Sequence, residues 1–216
     1  MNPNKLDHVA LWLADRDSIA DFVTTELGMH VIDRTDAFTL VGTDARRGKL
    51  TLFAAQGPRE QGALKHVALR ASQVDGTDTF DLGEGVRIVL VAAQTDTEYD
   101  LDHVALYSTD PERTAREYEA YGFEAAEPGP SGAPRVGVGG AWIEFHPGEP
   151  GEPERPLLNH VAVLVDSADE AIAAAKDGGI EVDDVVDAPN TYAVFLRGPE
   201  HVRIEYVEHK PTFSLR

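Results

Sequence analysis

The chain has 216 residues, 42% of them hydrophobic, which is enough for one larger compact domain or two small ones and argues against intrinsic disorder. Acidic residues outnumber basic ones by 38 to 19, and the formal charge of -19 disfavours binding to nucleic acid or to anionic membrane surfaces. The absence of cysteine means that any metal must be held by His, Asp or Glu side chains. No apolar stretch approaches the roughly 18 residues of a membrane span, so we expect a soluble, cytoplasmic protein.

One short sequence occurs four times along the chain. Residues 6–11, LDHVAL, recur letter for letter at residues 101–106, and the variants LKHVAL and LNHVAV stand at residues 64–69 and 158–163. Each copy places a histidine at the same point, with gaps of 58, 37 and 57 residues between His8, His66, His103 and His160. This doubled spacing predicts four modules grouped as two halves.

Each module opens with an alternating apolar segment, which predicts a strand. In three modules a helical segment follows and ends at a glycine, and short apolar runs between turn residues then predict three more strands. The helices are expected at residues 15–27, 111–121 and 167–177. The unit is therefore β-α-β-β-β. The second module, between His66 and Ala93, is too short for the whole unit, and we expect its helix to be lost or shortened.

Two connections divide the modules. Residues 147–156, PGEPGEPERP, are rich in Pro, Gly and Glu and predict an exposed linker between modules three and four. The connection between the halves, at residues 94–100, is shorter. We therefore expect modules one and two to form an N-terminal half over residues 1–98, and modules three and four to form a C-terminal half over residues 99–210. The pairing of module one with four and of module two with three is the alternative.

The fourfold βαβββ module with a histidine on each first strand resembles the vicinal oxygen chelate superfamily. That family includes glyoxalase I, methylmalonyl-CoA epimerase, extradiol ring-cleaving dioxygenases and the bleomycin and fosfomycin resistance proteins. The resemblance implies an α+β fold in which the four modules, the second shortened, pair into two half-open curved sheets. It also implies a divalent metal whose ligands come from the first and last strands of the paired modules.

The last strands differ in what they offer to a metal. Those of modules three and four carry Glu144 and Glu205 between apolar neighbours. Module two has Val89 in the equivalent place, and the last strand of module one, KLTLF, also lacks an acid. The family pattern therefore implies that the N-terminal half is without metal, with His8 and His66 as packed core residues. The C-terminal half would bear the metal, bound by His103, His160, Glu205 and Glu144.

Different parts of this sequence resemble two different branches of the family. Residues 195–205, FLRGPEHVRIE, resemble the strand and turn of extradiol dioxygenases, in which an aromatic residue, a Pro turn and the iron-binding Glu follow in order. This match implies an iron triad of His103, His160 and Glu205. Phe195 departs from it, because those enzymes have a Tyr there that contacts the substrate. The extra Glu144 is more similar to glyoxalase I, in which both modules supply a His and a Glu.

The resemblance implies one divalent ion, with Fe(II) favoured and Mn(II), Ni(II) or Zn(II) as alternatives, and a small-molecule substrate with two neighbouring oxygens. We expect an extradiol-type dioxygenase that acts on a catechol. A glyoxalase-type lyase, isomerase or epimerase and a bleomycin-resistance-like binding protein are the alternatives, and a homo-oligomer is left open. Glu144 is the candidate base, with Tyr192 and His201 as further acid–base candidates.

The acidic excess predicts a halophilic protein. A charge of -19 destabilises a compact chain by self-repulsion, and molar salt screens that repulsion. The melting temperature should therefore rise as KCl increases from dilute buffer to molar concentration, as followed by circular dichroism. A melting temperature that stays flat or falls across the series would contradict the halophilic assignment.

Overall fold

The computed structural model describes residues 1–215. Its helices are α1 (Arg16–Thr25), α2 (Pro111–Tyr118) and α3 (Ala168–Asp177). Module one supplies the strands β1 (Lys5–Leu13), β2 (His30–Arg34), β3 (Phe38–Gly42) and β4 (Lys49–Ala54), and module two supplies β5 (Leu64–Ala71), β6 (Thr77–Asp81) and β7 (Arg87–Ala92). Module three supplies β8 (Tyr99–Ser108), β9 (Glu124–Ala126), β10 (Arg135–Val138) and β11 (Ala141–Pro147), and module four supplies β12 (Leu158–Leu164), β13 (Val182–Asp187), β14 (Thr191–Arg197) and β15 (Arg203–His209).

The predicted α+β modules are confirmed. Modules one, three and four have the order β-α-β-β-β, and within residues 1–215 module two passes from β5 to β6 without a helix. Each helix begins at a side-chain cap, because Asp15, Asp110 and Ser167 accept hydrogen bonds from backbone N–H groups in the first turn. None of the described helices has the length and apolar character needed to cross a bilayer.

The predicted pairing of modules one with two and three with four is wrong. One sheet has eight strands in the order β13-β14-β15-β12-β1-β4-β3-β2, so it joins module four to module one. The other has seven in the order β6-β7-β5-β8-β11-β10-β9 and joins module two to module three. The linker at residues 147–156 allows this arrangement, because ten extended residues can span roughly 33 Å. A boundary at residue 98 therefore does not separate the sheets.

Each sheet has one face covered by helices and one face free of them. On the helix side, buried apolar residues of both sheets form one continuous core. On the eight-stranded sheet, the opposite face carries His8, Ala10 and Trp12 of β1 together with the same-facing residues of the other strands. We call this the open face. It holds a small separate apolar cluster made of Ala162, Ala193, Phe195 and Val207.

Two equivalent glutamates join the two sheets. Glu84, in the turn before β7, accepts hydrogen bonds from the backbone N–H groups of Ala14 and Asp15 at the end of β1. Glu200, in the turn before β15, accepts hydrogen bonds from the Ser108 hydroxyl and the Thr109 N–H at the end of β8. Both glutamates adopt positive φ, 49° and 55°, which is uncommon outside glycine. Each sheet therefore supplies a carboxylate to the other.

Candidate metal centre

Each of the four central strands contains one residue without a cross-strand partner. In the β1–β12 pair, Leu6 is opposite Val163 and His8 is opposite Ala162, which leaves Asp7 as an extra residue. The other strands show the same shift, and the four extra residues are Asp7, Lys65, Asp102 and Asn159. Each stands directly before a repeat histidine. Such a β-bulge turns two successive side chains to one face, where a regular strand would alternate them.

Three ligand atoms converge on the open face. Nε2 of His8 and Nε2 of His160 lie 3.0 Å apart, and Oε2 of Glu205 lies 3.2 Å and 2.9 Å from them. Ala162 makes this convergence sterically feasible, because it is the register partner of both His8 and Glu205 and its methyl group leaves space above it. The three side chains are 5% to 13% exposed, so the site is nearly closed but reachable from solvent.

This spacing fits one face of an octahedral metal site. Ligand atoms about 2.1 Å from a metal ion lie about 3.0 Å apart when the bonds are at right angles, and about 3.4 Å apart at the tetrahedral angle. The observed separations are 2.9–3.2 Å. Glu205 Oε2 is also buried without a hydrogen-bond partner. The three side chains therefore suit a divalent cation that prefers six ligands, with further positions left free.

The bulge residues orient the two imidazoles. Asp7 Oδ2 lies 2.8 Å from Nδ1 of His8, and Asn159 Oδ1 lies 2.9 Å from Nδ1 of His160. An ionised carboxylate can only accept a hydrogen bond, so Nδ1 of His8 carries a proton, and Nε2 is the ring nitrogen that faces the other two side chains. Carboxylate and amide oxygens commonly hold metal-bound histidines in this way.

A buried ion pair lies behind His8. Lys49 Nζ donates to Asp7 Oδ2 at 2.7 Å, and the two side chains are only 4% and 1% exposed. His209 Nε2 approaches the other carboxylate oxygen of Asp7 to 3.1 Å. Burial would raise the pKa of Asp7, but Lys49, His209 and His8 outweigh it and hold that pKa well below its ordinary value. Asp7 therefore remains a carboxylate.

The protonation states of the triad reflect the same charges. Burial lowers the pKa of His8, but the Glu205 and Asp7 carboxylates outweigh it and raise that pKa to about 9. The pKa of His160 is lowered, with burial as the largest cause. Burial opposes the ionisation of Glu205, yet His160 and His8 hold its pKa below the ordinary value. These shifts favour an ionised Glu205 carboxylate beside a positively charged His8.

Thr51 occupies the place of a second carboxylate. Ala10 pairs with His160 on one side and with Thr51 on the other, just as Ala162 pairs with His8 and Glu205. The internal repeat therefore makes Thr51 of module one the counterpart of Glu205. The protein ligands on the open face are two imidazoles and one carboxylate, and the fourth place of the pattern holds a hydroxyl.

Aromatic side chains surround the triad. The ring centroid of His160 lies 5.2 Å from that of Phe195 and 6.3 Å from that of Phe53. Phe53 in turn packs against Trp12 and Phe38, with centroid distances of 5.1 Å and 5.8 Å. These rings line the open face beside the metal ligands. Such a surface favours a planar apolar substrate.

The other sheet carries a second cluster with weaker convergence. His66 and His103 bring their Nε2 atoms to 2.9 Å, but Glu144 Oε2 remains 3.8 Å from His103 Nε2. The same carboxylate contacts Arg135 at 3.7 Å through Oε1. Burial first, and then His103 and Lys65, lower the pKa of His66 to about 3. Among residues 1–215, only the His8, His160 and Glu205 group brings three ligand atoms within 4.8 Å of one another.

The structure does not bring the four predicted metal ligands into one site. His160 and Glu205 meet on the open face, whereas His103 and Glu144 lie in the seven-stranded sheet. The physical reason is the pairing of modules: the strand beside β12 is β1, so His8 takes the place expected for His103. The candidate site therefore includes His8, which lies within residues 1–98, the half expected to be without metal.

The two further acid–base candidates also lie away from the triad. Tyr192 faces the helix side, where its hydroxyl donates to Asp169 of α3 at 3.1 Å. Its position follows from the register, because Tyr192 pairs with Glu208, which faces away from Glu205. His201 lies in the 3₁₀ turn at Pro199–His201, half exposed, and its Nε2 is 3.3 Å from Glu152.

Sequence reasoning did not select His8 as a candidate ligand, or Asp7 and Lys49 as the residues that support it. The usable signal was the residue before each histidine, which is Asp or Asn in three copies and Lys in the fourth. Strict alternation of strand faces places that residue on the opposite face, so the signal has meaning only once the bulge is known.

We predict one metal ion per chain. His8→Ala and Glu205→Ala should each abolish stoichiometric binding, because each removes one of three ligands, whereas His103→Ala should retain it. Metal analysis after dialysis against Fe(II), anaerobically, or against Zn(II) measures this. Loss of metal in His103→Ala, or two ions per wild-type chain, would contradict the assignment.

Lys49→Met should destabilise the fold by about 3–5 kcal/mol, since it leaves the buried Asp7 carboxylate without its cation. The double variant Lys49→Met/Asp7→Asn is the matched control and should recover much of that loss, because the neutral amide still reaches His8. Urea denaturation measures both. Equal stability of Lys49→Met and wild type would show that the ion pair is unimportant.

Comparisons with known proteins agree with the fold. No curated protein matches the sequence. Three solved structures resemble it: a Bacillus subtilis protein provisionally named a dioxygenase (14% identity, TM-score 0.79, covering 98% of this chain and 87% of that one), glyoxalase I from Zea mays (17%, 0.72, 94% and 92%) and the cppA protein from Streptococcus pneumoniae (15%, 0.62, 96% and 100%). At these identities the likeness concerns the fold alone. The model of the Glyoxalase/Bleomycin resistance protein/Dioxygenase superfamily matches residues 5–81 and 100–206, and the chain therefore belongs to that superfamily.

Proposed function

We propose that this chain is a metal-dependent ring-cleaving dioxygenase of the extradiol type, which acts on a catechol-like aromatic diol with Fe(II) held by His8, His160 and Glu205. The observation that carries the proposal is the ligand set. Two imidazoles and one carboxylate at facial spacing are typical of non-haem Fe(II) oxygenases. A six-coordinate ion held by these three side chains would have three further positions, which is the number that two diol oxygens and O2 require.

The same ligand set disfavours a lyase or epimerase. Those reactions need a base beside the carbon acid, and in glyoxalase I a second glutamate is available for that role. Here Thr51 stands in that place, and Glu144, the candidate base, belongs to the other sheet. A threonine hydroxyl is too weak an acid–base group at neutral pH for proton abstraction from carbon.

The residues of the open face have distinct tasks in this proposal. A divalent ion held by His8, His160 and Glu205 would offer coordination to the two diol oxygens and to O2, and would favour the ionised diol. Asp7 and Asn159 fix the imidazole rings, so the ligand geometry exists before the ion arrives. Phe195, which is buried, and Phe53, which is partly exposed, flank His160 and would provide apolar walls for the substrate ring.

The test is oxygen uptake by protein loaded anaerobically with Fe(II) and then given 4-methylcatechol and labelled O2. We expect a ring-fission product that contains both atoms of the labelled O2, with one O2 consumed per diol. His8→Ala should be inactive, and His103→Ala should remain active. Isomerisation of the methylglyoxal–glutathione hemithioacetal by the Zn(II) or Ni(II) protein, without O2 uptake by the Fe(II) protein, would contradict the proposal in favour of a lyase.

Thr51→Glu should separate metal binding from turnover. The new carboxylate would take a position that the diol or O2 requires, so the variant should retain its metal and lose ring cleavage by about 100-fold or more. Thr51→Gln is the matched control, of similar size but neutral, and should keep activity within about tenfold. Full activity of Thr51→Glu with bound metal would show that Thr51 does not face the reacting positions.

A further inference from the structure

We infer that the substrate carries a carboxylate remote from its diol, and that Arg59 and Arg155 bind this carboxylate at the rim of the open face. The inference deepens the proposed function and rests on it for the position of the diol at the metal ligands. It concerns the class of aromatic diol, which the metal ligands alone do not distinguish.

A cavity borders the metal centre at one end of the open face. Its lining includes Trp12, Asn159 and Arg203 together with Arg155 and Arg197. Asn159 is the residue that orients His160, and Arg203 faces the same side as Glu205, two residues before it on β15. The cavity is therefore continuous with the residues that build the site.

The opposite end of the open face is blocked. Lys49 and Asp7 fill the space behind His8, and His209 lies against Asp7. Phe213 stacks on His209 with a centroid distance of 4.2 Å, and Arg46 covers Phe213 at 5.0 Å. A substrate whose diol reaches the ligands therefore has room to extend toward the Trp12 end, where the cavity lies.

Arginines are concentrated at that end of an otherwise acidic chain. Arg197 and Arg203 both bind Asp183, at 2.7 Å and 2.6 Å, so this carboxylate offsets part of their charge. Glu154, also in the lining, is a second acid there. Arg197 and Arg203 are thus already paired with the Asp183 carboxylate.

Arg59 and Arg155 lack such partners. Within residues 1–215, neither has a carboxylate oxygen within 4.0 Å, although the chain has twice as many acidic as basic residues. The Arg59 guanidinium lies over the Trp12 ring at 5.7 Å, and its Nε is buried without a hydrogen-bond partner. Arg155 lines the cavity that Trp12 also borders. A planar guanidinium beside an aromatic wall binds a carboxylate well, since it can donate two parallel hydrogen bonds.

Two diols that differ chiefly in a carboxylate test this inference. The Fe(II) protein should show a kcat/KM for 3,4-dihydroxyphenylacetate roughly 10- to 100-fold above that for 4-methylcatechol. Arg59→Gln/Arg155→Gln should lower the kcat/KM for 3,4-dihydroxyphenylacetate until the preference is lost. The kcat/KM for 4-methylcatechol should change by no more than about threefold. Arg116→Gln, an exposed arginine on α2, is the matched control and should keep the preference. No preference in wild type, or an unchanged preference in the double variant, would overturn the inference.

Binding without metal separates this inference from the proposed function. His8→Ala removes the metal site but not the two arginines, and phenylacetate has a carboxylate but no diol. Calorimetry should show phenylacetate binding to His8→Ala, weakened about tenfold or more by the added Arg59→Gln and Arg155→Gln changes. Equal binding by both proteins would overturn carboxylate recognition, whatever reaction the wild-type protein performs.

Discussion

In each of the four central strands, one residue has no partner on the neighbouring strand, and that residue stands directly before the repeat histidine. In three of the strands, the side chain of the extra residue (Asp7, Asp102 or Asn159) lies within hydrogen-bond reach of Nδ1 of that histidine. On β1 this residue is Asp7, and burying a carboxylate there requires a cation, which Lys49 supplies. The orientation of His8, the availability of its Nε2, and the position of Lys49 all depend on this bulge.

The repeated bulge also explains why the two faces differ. The same position holds Lys65 on β5, where its positive charge disfavours a second cation instead of orienting His66. On that sheet Glu144 is shared with Arg135 and stays 3.8 Å from His103. One sheet therefore brings two imidazoles and a carboxylate together beside the Asp7 carboxylate, whereas the other has Lys65 and Arg135 beside a ligand set that converges less closely. The difference arises from single residues at equivalent positions, with the same backbone arrangement.

Much of the fold could be predicted from the sequence, because repeats, strand alternation and helix caps are local. The four modules, the three helices and the missing helix of module two follow from patterns of a few residues. The pairing of modules could not be predicted in this way. It depends on which strands meet across the whole chain, and the linker at residues 147–156 is long enough for either arrangement. Since a metal site here is shared by two modules, the wrong pairing led directly to His103 in place of His8. His160 and Glu205 belong to one module, so the sequence comparison could identify them together.

The central claim is that a single cation is bound between β1, β12 and β15. An anomalous difference map at the iron edge, from crystals of the Fe(II) protein grown without oxygen, tests it most directly. We expect one peak per chain, about 2.1 Å from Nε2 of His8, Nε2 of His160 and an oxygen of Glu205. A peak between His66 and His103, or none beside Glu205, would contradict it.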